Sequence, residues 1–237
     1  GGISGLGAGA SATYGSSTYP NLLGSGGSGG GASGSGGGII HLLASGVLEV
    51  NGLVSANGRL SSAGAGSGGS IYVRSHELTG NGSIRANGSS ADWCTYGGGG
   101  GGGRVAVYYE TLGTFSLENI LASGGTGDAC RGAGNGEKGT TYILNGWSDT
   151  PTTDLRVTSG LDLTSDLNLR HTNITFDSGA RIGCGEGRSS LEVSATGVFT
   201  DGGSTWTCSS EFSSVVVSST GALTLTGTSL NFSNTDD

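Results

Sequence analysis

The sequence predicts an all-β protein and, within that class, a right-handed parallel β-helix (solenoid) with long glycine-rich insertions in its N-terminal coils. Three observations lead to this prediction: a composition that argues against helices, turns that recur at a similar spacing, and short β-prone runs between those turns. We expect one continuous solenoid, with the insertion-bearing coils in residues 1–140 and shorter coils in residues 141–237.

The composition excludes helix as the main element. Of the 237 residues, 52 are glycine and only 12% are charged. Glycine in a helix interior costs about 1 kcal/mol relative to alanine. In addition, no stretch places apolar residues at i, i+3, i+4 and i+7 over three helical turns. Strands and turns must therefore build the fold.

Nearly identical turns recur in the first half of the chain. V-S-A-N-G at residues 54–58 returns thirty residues later as I-R-A-N-G at residues 84–88, and I-L-A-S-G follows at residues 120–124. Since parallel coils place equivalent side chains above one another, we expect vertical columns of like residues. The expected columns are Leu48 over Leu78, Val54 over Ile84 over Ile120, and Ala56 over Ala86 over Ala122.

The asparagines of these turns have two competing interpretations. Asn57 and Asn87 could form a turn ladder in which each side-chain amide bonds the next copy of the turn. Asn87 also begins an N-x-S/T sequon and is therefore a candidate for N-glycosylation, together with Asn81, Asn173 and Asn231. For Asn87 the two roles exclude each other, and the turn chemistry favours the ladder.

Short β-branched or aliphatic runs, each ending at a glycine or a small turn, predict the strands. They include residues 39–43, 47–50, 54–56, 71–73, 84–86, 105–109, 115–117 and 120–122 in the first half, and residues 161–163, 167–169, 174–176, 191–193, 198–199, 215–217, 223–225 and 230–232 in the second. In the second half, small Ser-Gly or Thr-Gly turns recur every 18 to 24 residues. Such spacing is typical of a solenoid.

One family resembles the N-terminal part of the chain. Residues 14–109 contain G-G-G-I-I-H-L, A-G-S-G-G-S-I-Y-V-R, G-N-G-S-I-R-A-N-G and G-G-G-G-G-G-G-R-V-A-V-Y-Y in that order. This arrangement resembles the glycine-rich right-handed β-helix repeats of large protist, algal and bacterial surface proteins. The resemblance implies an extracellular structural or adhesive role and does not imply an enzyme.

The glycine tracts at residues 24–38, 61–70, 89–103 and 124–139 need a physical explanation. Glycine loses more backbone freedom on ordering than any other residue, so such tracts become ordered only when neighbours hold them. We expect them to pack as extended segments without side chains, against one another or against a neighbouring subunit.

The cysteines and the charge indicate the surroundings. We expect disulfides between Cys94 and Cys130, which both lie in glycine-rich insertions, and between Cys184 and Cys208, which are about one repeat apart. Disulfides and sequons together favour an oxidising, extracellular location at the cell surface. A formal net charge of −8 makes nucleic acid a poor partner, and no apolar run is long enough to insert into a membrane.

Catalytic and metal-binding motifs are weak. N-T-D-D at residues 234–237 resembles one carboxylate motif of polygalacturonases, but it lacks the second acid that a glycosidase requires. Four aspartates, Asp149, Asp154, Asp162 and Asp166, do not follow a calcium-loop pattern. His41, His76 and His171 are isolated in sequence. We therefore expect no catalytic residue, no cofactor and no metal.

These observations favour a non-enzymatic structural subunit of an extracellular fibril or surface appendage. Its partners would be further copies of itself, joined head to tail, and attached glycans. The alternative is a carbohydrate-binding or adhesive module that displays Trp93, Trp147, Trp206 and several tyrosines to a polysaccharide. A polysaccharide-degrading β-helix enzyme is the least favoured interpretation.

Overall fold

A computed structural model shows an all-β protein whose strands pair mostly in parallel. The described residues are 14–28, 33–60, 64–91, 97–128, 132–147, 153–162, 169–183, 190–209, 214–219, 222–225 and 229–233. Over these ranges there is no α-helix, only one 3₁₀ turn at Leu117–Asn119. None of the described segments is a helix with the length and apolar character to span a membrane. The chain divides into two compact units, Gly1–Thr141 and Tyr142–Asp237.

The N-terminal unit contains two sets of parallel strands. The long strands are β1 (Ile39–Glu49), β3 (Ser70–Thr79) and β5 (Arg104–Leu112), and the short ones are β2 (Leu53–Ser55), β4 (Ser83–Arg85) and β6 (Ile120–Leu121). Each strand pairs with the second strand after it along the chain. We call β1 with β2 the first tier, β3 with β4 the second tier, and β5 with β6 the third tier.

The register of these strands confirms the predicted columns. Leu48 pairs with Leu78, Val54 with Ile84, and Ile84 with Ile120. The alanine column continues through backbone hydrogen bonds from Ala56 N–H to the Arg85 carbonyl and from Ala86 N–H to the Leu121 carbonyl. All three alanines are buried. The repeated pentapeptides therefore occupy equivalent positions in successive tiers.

Glycine-rich legs connect each short strand to the next long strand, and a similar pair of legs precedes β1. One leg runs outward after the short strand, and a second leg returns beside it to the next long strand. Backbone hydrogen bonds of 2.8 to 3.2 Å join the two legs of each pair. The Gly24 N–H donates to the Gly37 carbonyl, the Gly66 N–H to the Arg59 carbonyl, and the Gly100 N–H to the Ser89 carbonyl. The insertions are thus hydrogen-bonded hairpins of glycine-rich chain.

These legs also bond to one another between tiers with a period of three residues. In the run at residues 97–103, the Gly99 N–H donates to the Gly134 carbonyl and the Gly102 N–H to the Glu137 carbonyl. The amides that follow them bond in another direction: the Gly100 N–H donates to the Ser89 carbonyl and the Gly103 N–H to the Ala86 carbonyl. The carbonyls of Gly98 and Gly101 accept from Ala65 and Gly68 of the preceding returning leg. Successive amides thus bond in different directions, and the pattern repeats every three residues. A polyproline II helix has this period of three residues per turn. Over the described residues, the tracts form a bundle with this three-residue period, cross-linked by backbone hydrogen bonds.

Close backbone approach explains why the bundle is built from glycine. A Cβ atom added to Gly100 would lie 2.0 Å from the Gly66 carbonyl oxygen, and one on Gly136 would lie 1.9 Å from the Gly100 oxygen. No side chain fits in such a space, as at the axis of collagen. Where the structure describes these tracts, it confirms the prediction that they pack against one another as extended segments.

The strands of the C-terminal unit are shorter. They are β8 (Asp154–Val157), β9 (Gly160–Asp162), β10 (Leu169–His171), β11 (Asn173–Phe176), β12 (Arg181–Gly183), β13 (Ser190–Ala195), β14 (Phe199–Asp201), β15 (Thr205–Ser209), β16 (Ser214–Ser219), β17 (Leu223–Leu225) and β18 (Ser229–Ser233). From β8 onward, each strand pairs in parallel with the third strand after it. Phe176, Phe199 and Trp206 pack edge to face in the core.

One pair departs from the predicted parallel arrangement. β7 (Thr140–Asn145) pairs with β8 in antiparallel orientation, with Leu144 opposite Leu155. Gly146 follows β7 with φ of 136°, a conformation that glycine adopts without steric cost and that starts the chain reversal. The wholly parallel prediction is therefore wrong at this hairpin.

Candidate functional site

Exposed apolar side chains of the N-terminal unit concentrate in its first tier and in the segment that precedes it. Among the described residues of this unit, all large exposed apolar side chains except Leu112 lie between residues 14 and 60. Five of them lie within residues 39–60, and we call these the first-tier surface: Ile39, Leu43, Val47, Leu53 and Leu60. The other four, Tyr14, Tyr19, Leu22 and Leu23, belong to the segment before β1. Large exposed apolar patches on soluble proteins mark sites of interaction.

The outward side chains of the first tier differ in kind from those of the second. Leu43, 71% exposed, is the register partner of Arg74, and Val47, 60% exposed, is the partner of Glu77. Leu53, 58% exposed, stands in the column of Ser83. At these positions the second tier therefore carries polar or charged residues where the first tier carries aliphatic ones.

The inward side chains of the first tier are only partly covered. Ile40 and Leu42 are half-buried, whereas their partners Ile71 and Val73 are completely buried. The same contrast separates Val54 from Ile84. Each partly exposed aliphatic side chain would contribute roughly 1 kcal/mol if another tier buried it. The first tier has the side-chain pattern of a core layer that is covered on one side.

β1 is also an edge strand. Over the described part of the chain, it ends its sheet on one side, and β2 ends the sheet of short strands. Edge strands that avoid association are usually short or carry lysine or proline. β1 has eleven residues and contains neither lysine nor proline. Two features interrupt it: its register shifts between Ala44 and Val47, and it ends in Glu49. Its backbone is a template for pairing with another strand.

Residues 14–23 form a separate, rigid aromatic segment that contacts the second and third tiers. The Tyr108 hydroxyl donates to the Thr18 carbonyl over 2.8 Å, and the Ser70 hydroxyl donates to the Leu22 carbonyl over 2.6 Å. The Tyr19 ring packs edge-on against the Tyr72 ring, with centroids 4.8 Å apart. Tyr19 is nevertheless 51% exposed. This segment holds aromatic rings in place at the surface.

Side chains at the turns bond the backbone of the next tier. Asn57 Oδ1 accepts the Asn87 N–H over 2.7 Å, and Asn87 Oδ1 accepts the Ser123 N–H over 2.9 Å. The structure thus brings the two residues of the predicted turn ladder together. A second column, not anticipated from the sequence, joins Asn51 Oδ1 to the Asn81 N–H over 3.2 Å. The shared thirty-residue spacing of Asn51 and Asn81 was its signal.

The C-terminal unit uses the same device. Asp154 Oδ1 accepts from the Asn173 backbone N–H and side-chain Nδ2, and Asn173 Oδ1 accepts the Val198 N–H over 2.9 Å. From the sequence, Asn173 is predicted only as a glycosylation candidate and Asp154 only as a weak calcium candidate. Their polar atoms instead link consecutive strands.

Two buried ionisable groups of this unit are committed to its interior. Burial raises the pKa of Asp201, but hydrogen bonds from Ser204, Trp206 and the Gly203 amide outweigh burial and leave the pKa below its ordinary value. Burial lowers the pKa of His171 to about 4, and its Nδ1 lies 3.0 Å from Thr153 Oγ1. Trp206 is 2% exposed and is therefore wrong as an element of a sugar-binding face.

The other predicted site residues have different outcomes. Cys94, Cys130, Cys184, Trp93, Asp236 and Asp237 lie outside the described residues. Cys208 and Asn231 belong to β15 and β18, but their side chains lie outside the described part. Both disulfides remain predictions. His76 Nδ1 lies 2.6 Å from Glu110 Oε2 at the surface. The described residues contain no group of three or more His, Cys, Asp or Glu arranged to bind a metal ion.

Comparison with known proteins does not identify a relative. The chain matches no protein-family model, no curated protein and no solved structure.

Proposed function

We propose that this chain is a non-enzymatic structural subunit of an extracellular fibril or surface appendage, and that its tiers are coils of a right-handed parallel β-helix. Subunits add end to end through the first-tier surface. The observation that carries this proposal is the first tier itself: a long edge strand with half-covered inward aliphatics and aliphatic residues at outward positions.

The connectivity supports the β-helix. In both units, strands that are far apart in sequence pair in parallel, and equivalent side chains fall into columns. A right-handed path is the strong default for parallel crossovers within one sheet. A coil of this kind contacts only its neighbours, so an uncovered end coil retains the capacity to bind another.

A second copy is the occupant that best fits the first-tier surface. The partner must offer a parallel edge strand with alternating aliphatic residues, which this chain has in its own strands. In the described C-terminal unit, β16, β17 and β18 end their sheets. A contact between such an edge on one copy and β1 of the next joins different surfaces, and a contact of this kind produces a filament unless its rotation closes a ring.

A triple variant tests the proposal without disturbing the fold. Leu43→Arg, Val47→Glu and Leu53→Ser place at the first tier the residues that the second tier carries in the same columns. We expect the wild-type chain to form regular fibres by negative-stain microscopy and sedimentation. We expect the variant to stay monomeric with an unchanged circular dichroism spectrum and Tm.

Several outcomes would overturn the proposal. A wild-type chain that remains monomeric at high concentration would show that the first-tier surface does not bind a second copy. Fibres formed equally well by the triple variant would show that assembly uses another surface.

The exposed aromatic rings favour one second candidate, a carbohydrate-binding or adhesive module. Tyr14 is 40% exposed and Tyr19 51% exposed, and both belong to the rigid segment at residues 14–23. Aromatic faces stack on sugar rings, and rigid rings lose little entropy on binding. Binding to a polysaccharide panel that Tyr19→Ala abolishes, by a chain that forms no fibres, would favour this candidate.

A further inference from the structure

Three of the four sequons lie where the structure describes the asparagine side chain, and they differ in how that side chain is used. Asn87 Oδ1 is bonded to Ser123, and the Asn173 amide is bonded at both its oxygen and its nitrogen. Asn81 contributes only its backbone N–H, to Asn51 Oδ1. Among the described residues, none forms a hydrogen bond with the Asn81 side-chain amide.

The turn around Asn81 is rigid and faces solvent. The Gly82 N–H donates to the Val50 carbonyl over 2.8 Å, and the Asn119 side chain donates to the Gly82 carbonyl over 3.0 Å. Thr114 holds Gly80 through its hydroxyl. Asn81 itself is exposed. The backbone is therefore fixed by neighbouring tiers while Asn81 remains exposed to solvent.

The hydroxyl residue of the sequon is also at the surface. β4 alternates a half-buried Ser83, a fully buried Ile84 and a half-buried Arg85. Because side chains alternate across a strand, Ser83 lies on the outward side. A glycosyltransferase must reach both the asparagine amide and the hydroxyl two residues later, and at this turn Asn81 is exposed and Ser83 is half-buried on the outward side.

From this geometry we infer that Asn81 is the N-glycosylation site of the folded N-terminal unit, and that Asn87 and Asn173 are structural. In the reaction, Asn81 Nδ2 attacks the anomeric carbon of a sugar activated as a nucleoside diphosphate or lipid pyrophosphate. The bond from that carbon to the diphosphate oxygen breaks as the N-glycosidic bond forms. Nδ2 loses one proton to a base, and the diphosphate leaves with the bonding electron pair.

The test uses the folded chain and a soluble N-glucosyltransferase with a nucleoside-diphosphate glucose donor. Peptides containing Asn81, Asn87 and Asn173 are first shown to be substrates, and occupancy in the folded chain is then measured by mass spectrometry. Modifying Asn87 or Asn173 requires opening a hydrogen-bonded turn, so we expect at least about tenfold faster modification at Asn81. Asn81→Gln should abolish the fast phase and leave the Tm unchanged.

Two results would overturn the inference. One is modification of Asn87 or Asn173 in the folded chain at the rate of Asn81. The other is a folded chain in which Asn81 is unmodified although its peptide reacts. Neither result depends on whether the chain forms fibres.

Discussion

Adjacent glycines at the end of one returning leg should respond in opposite ways to the same substitution. A Cβ atom on Gly37 would lie 1.9 Å from the Ala56 carbonyl oxygen and 2.5 Å from the Gly69 nitrogen. A Cβ atom on Gly38 would meet nothing within 4 Å. Neither residue has a positive φ, so the contrast isolates the effect of packing. Gly38→Ala is therefore a matched control for Gly37→Ala.

The magnitudes follow from two opposing effects. Alanine stabilises a compatible site by about 0.4 to 1 kcal/mol because it restricts the unfolded chain. Forcing a methyl group into filled space costs about 1 to 3 kcal/mol, and here the obstacle is backbone that cannot rotate away. For a chain of this size, 1 kcal/mol corresponds to about 2 to 4 °C in Tm. We expect Gly37→Ala to lower the Tm by about 2 to 12 °C and Gly38→Ala to raise it by about 1 to 4 °C.

Calorimetry measures the Tm, and hydrogen exchange locates the effect. The Gly37 N–H donates to the Ser67 carbonyl over 2.8 Å, so Gly37→Ala should also speed exchange in peptides covering residues 33–38 and 64–69. Equal Tm values for the two variants would refute the close packing of the glycine legs. A loss of stability in Gly38→Ala as large as that in Gly37→Ala would also refute this close packing.

Two further predictions concern the C-terminal unit and the cysteines. Unfolded His171 takes up a proton near pH 6.5, whereas the folded residue resists protonation until about pH 4. The free energy of unfolding of this unit should therefore fall by roughly 3 kcal/mol as the pH drops across that window, because the unfolded state binds the extra proton. The substitution His171→Gln should flatten this pH dependence. A wild-type free energy of unfolding that does not change between pH 6.5 and 4 would contradict the reasoning. Mass spectrometry of unreduced peptides should find Cys94 linked to Cys130 and Cys184 linked to Cys208. Ala91 and Gly97, which flank Cys94, form backbone hydrogen bonds with Thr126 and Asp128, which precede Cys130. Gly183 and Thr207, which precede Cys184 and Cys208, are register partners. Any other pairing would show that these neighbours do not bring the cysteines together.

The sequence alone was sufficient for the strand columns of the N-terminal unit. Val54 and Ile84 begin nearly identical pentapeptides, and a repeat with the same turn at the same spacing has one register that buries its aliphatic side chains. The glycine packing was also predictable in kind, because a long glycine run becomes ordered only when neighbouring chain restrains it.

Tertiary structure decided which residue bonds to which. The sequons at Asn81 and Asn87 look alike, but only Asn87 has a backbone donor of the next tier, Ser123, within reach of its side chain. Likewise Trp206 looked like a surface aromatic until its strand placed it beside Asp201 in the core. Local sequence determines which positions turn or extend. The contacts of a side chain depend instead on segments that lie 20 to 40 residues away in the sequence. Insertions of unequal length set the spacing between these segments. For that reason the uncovered first tier, on which the proposed function rests, appears only when the tiers are stacked.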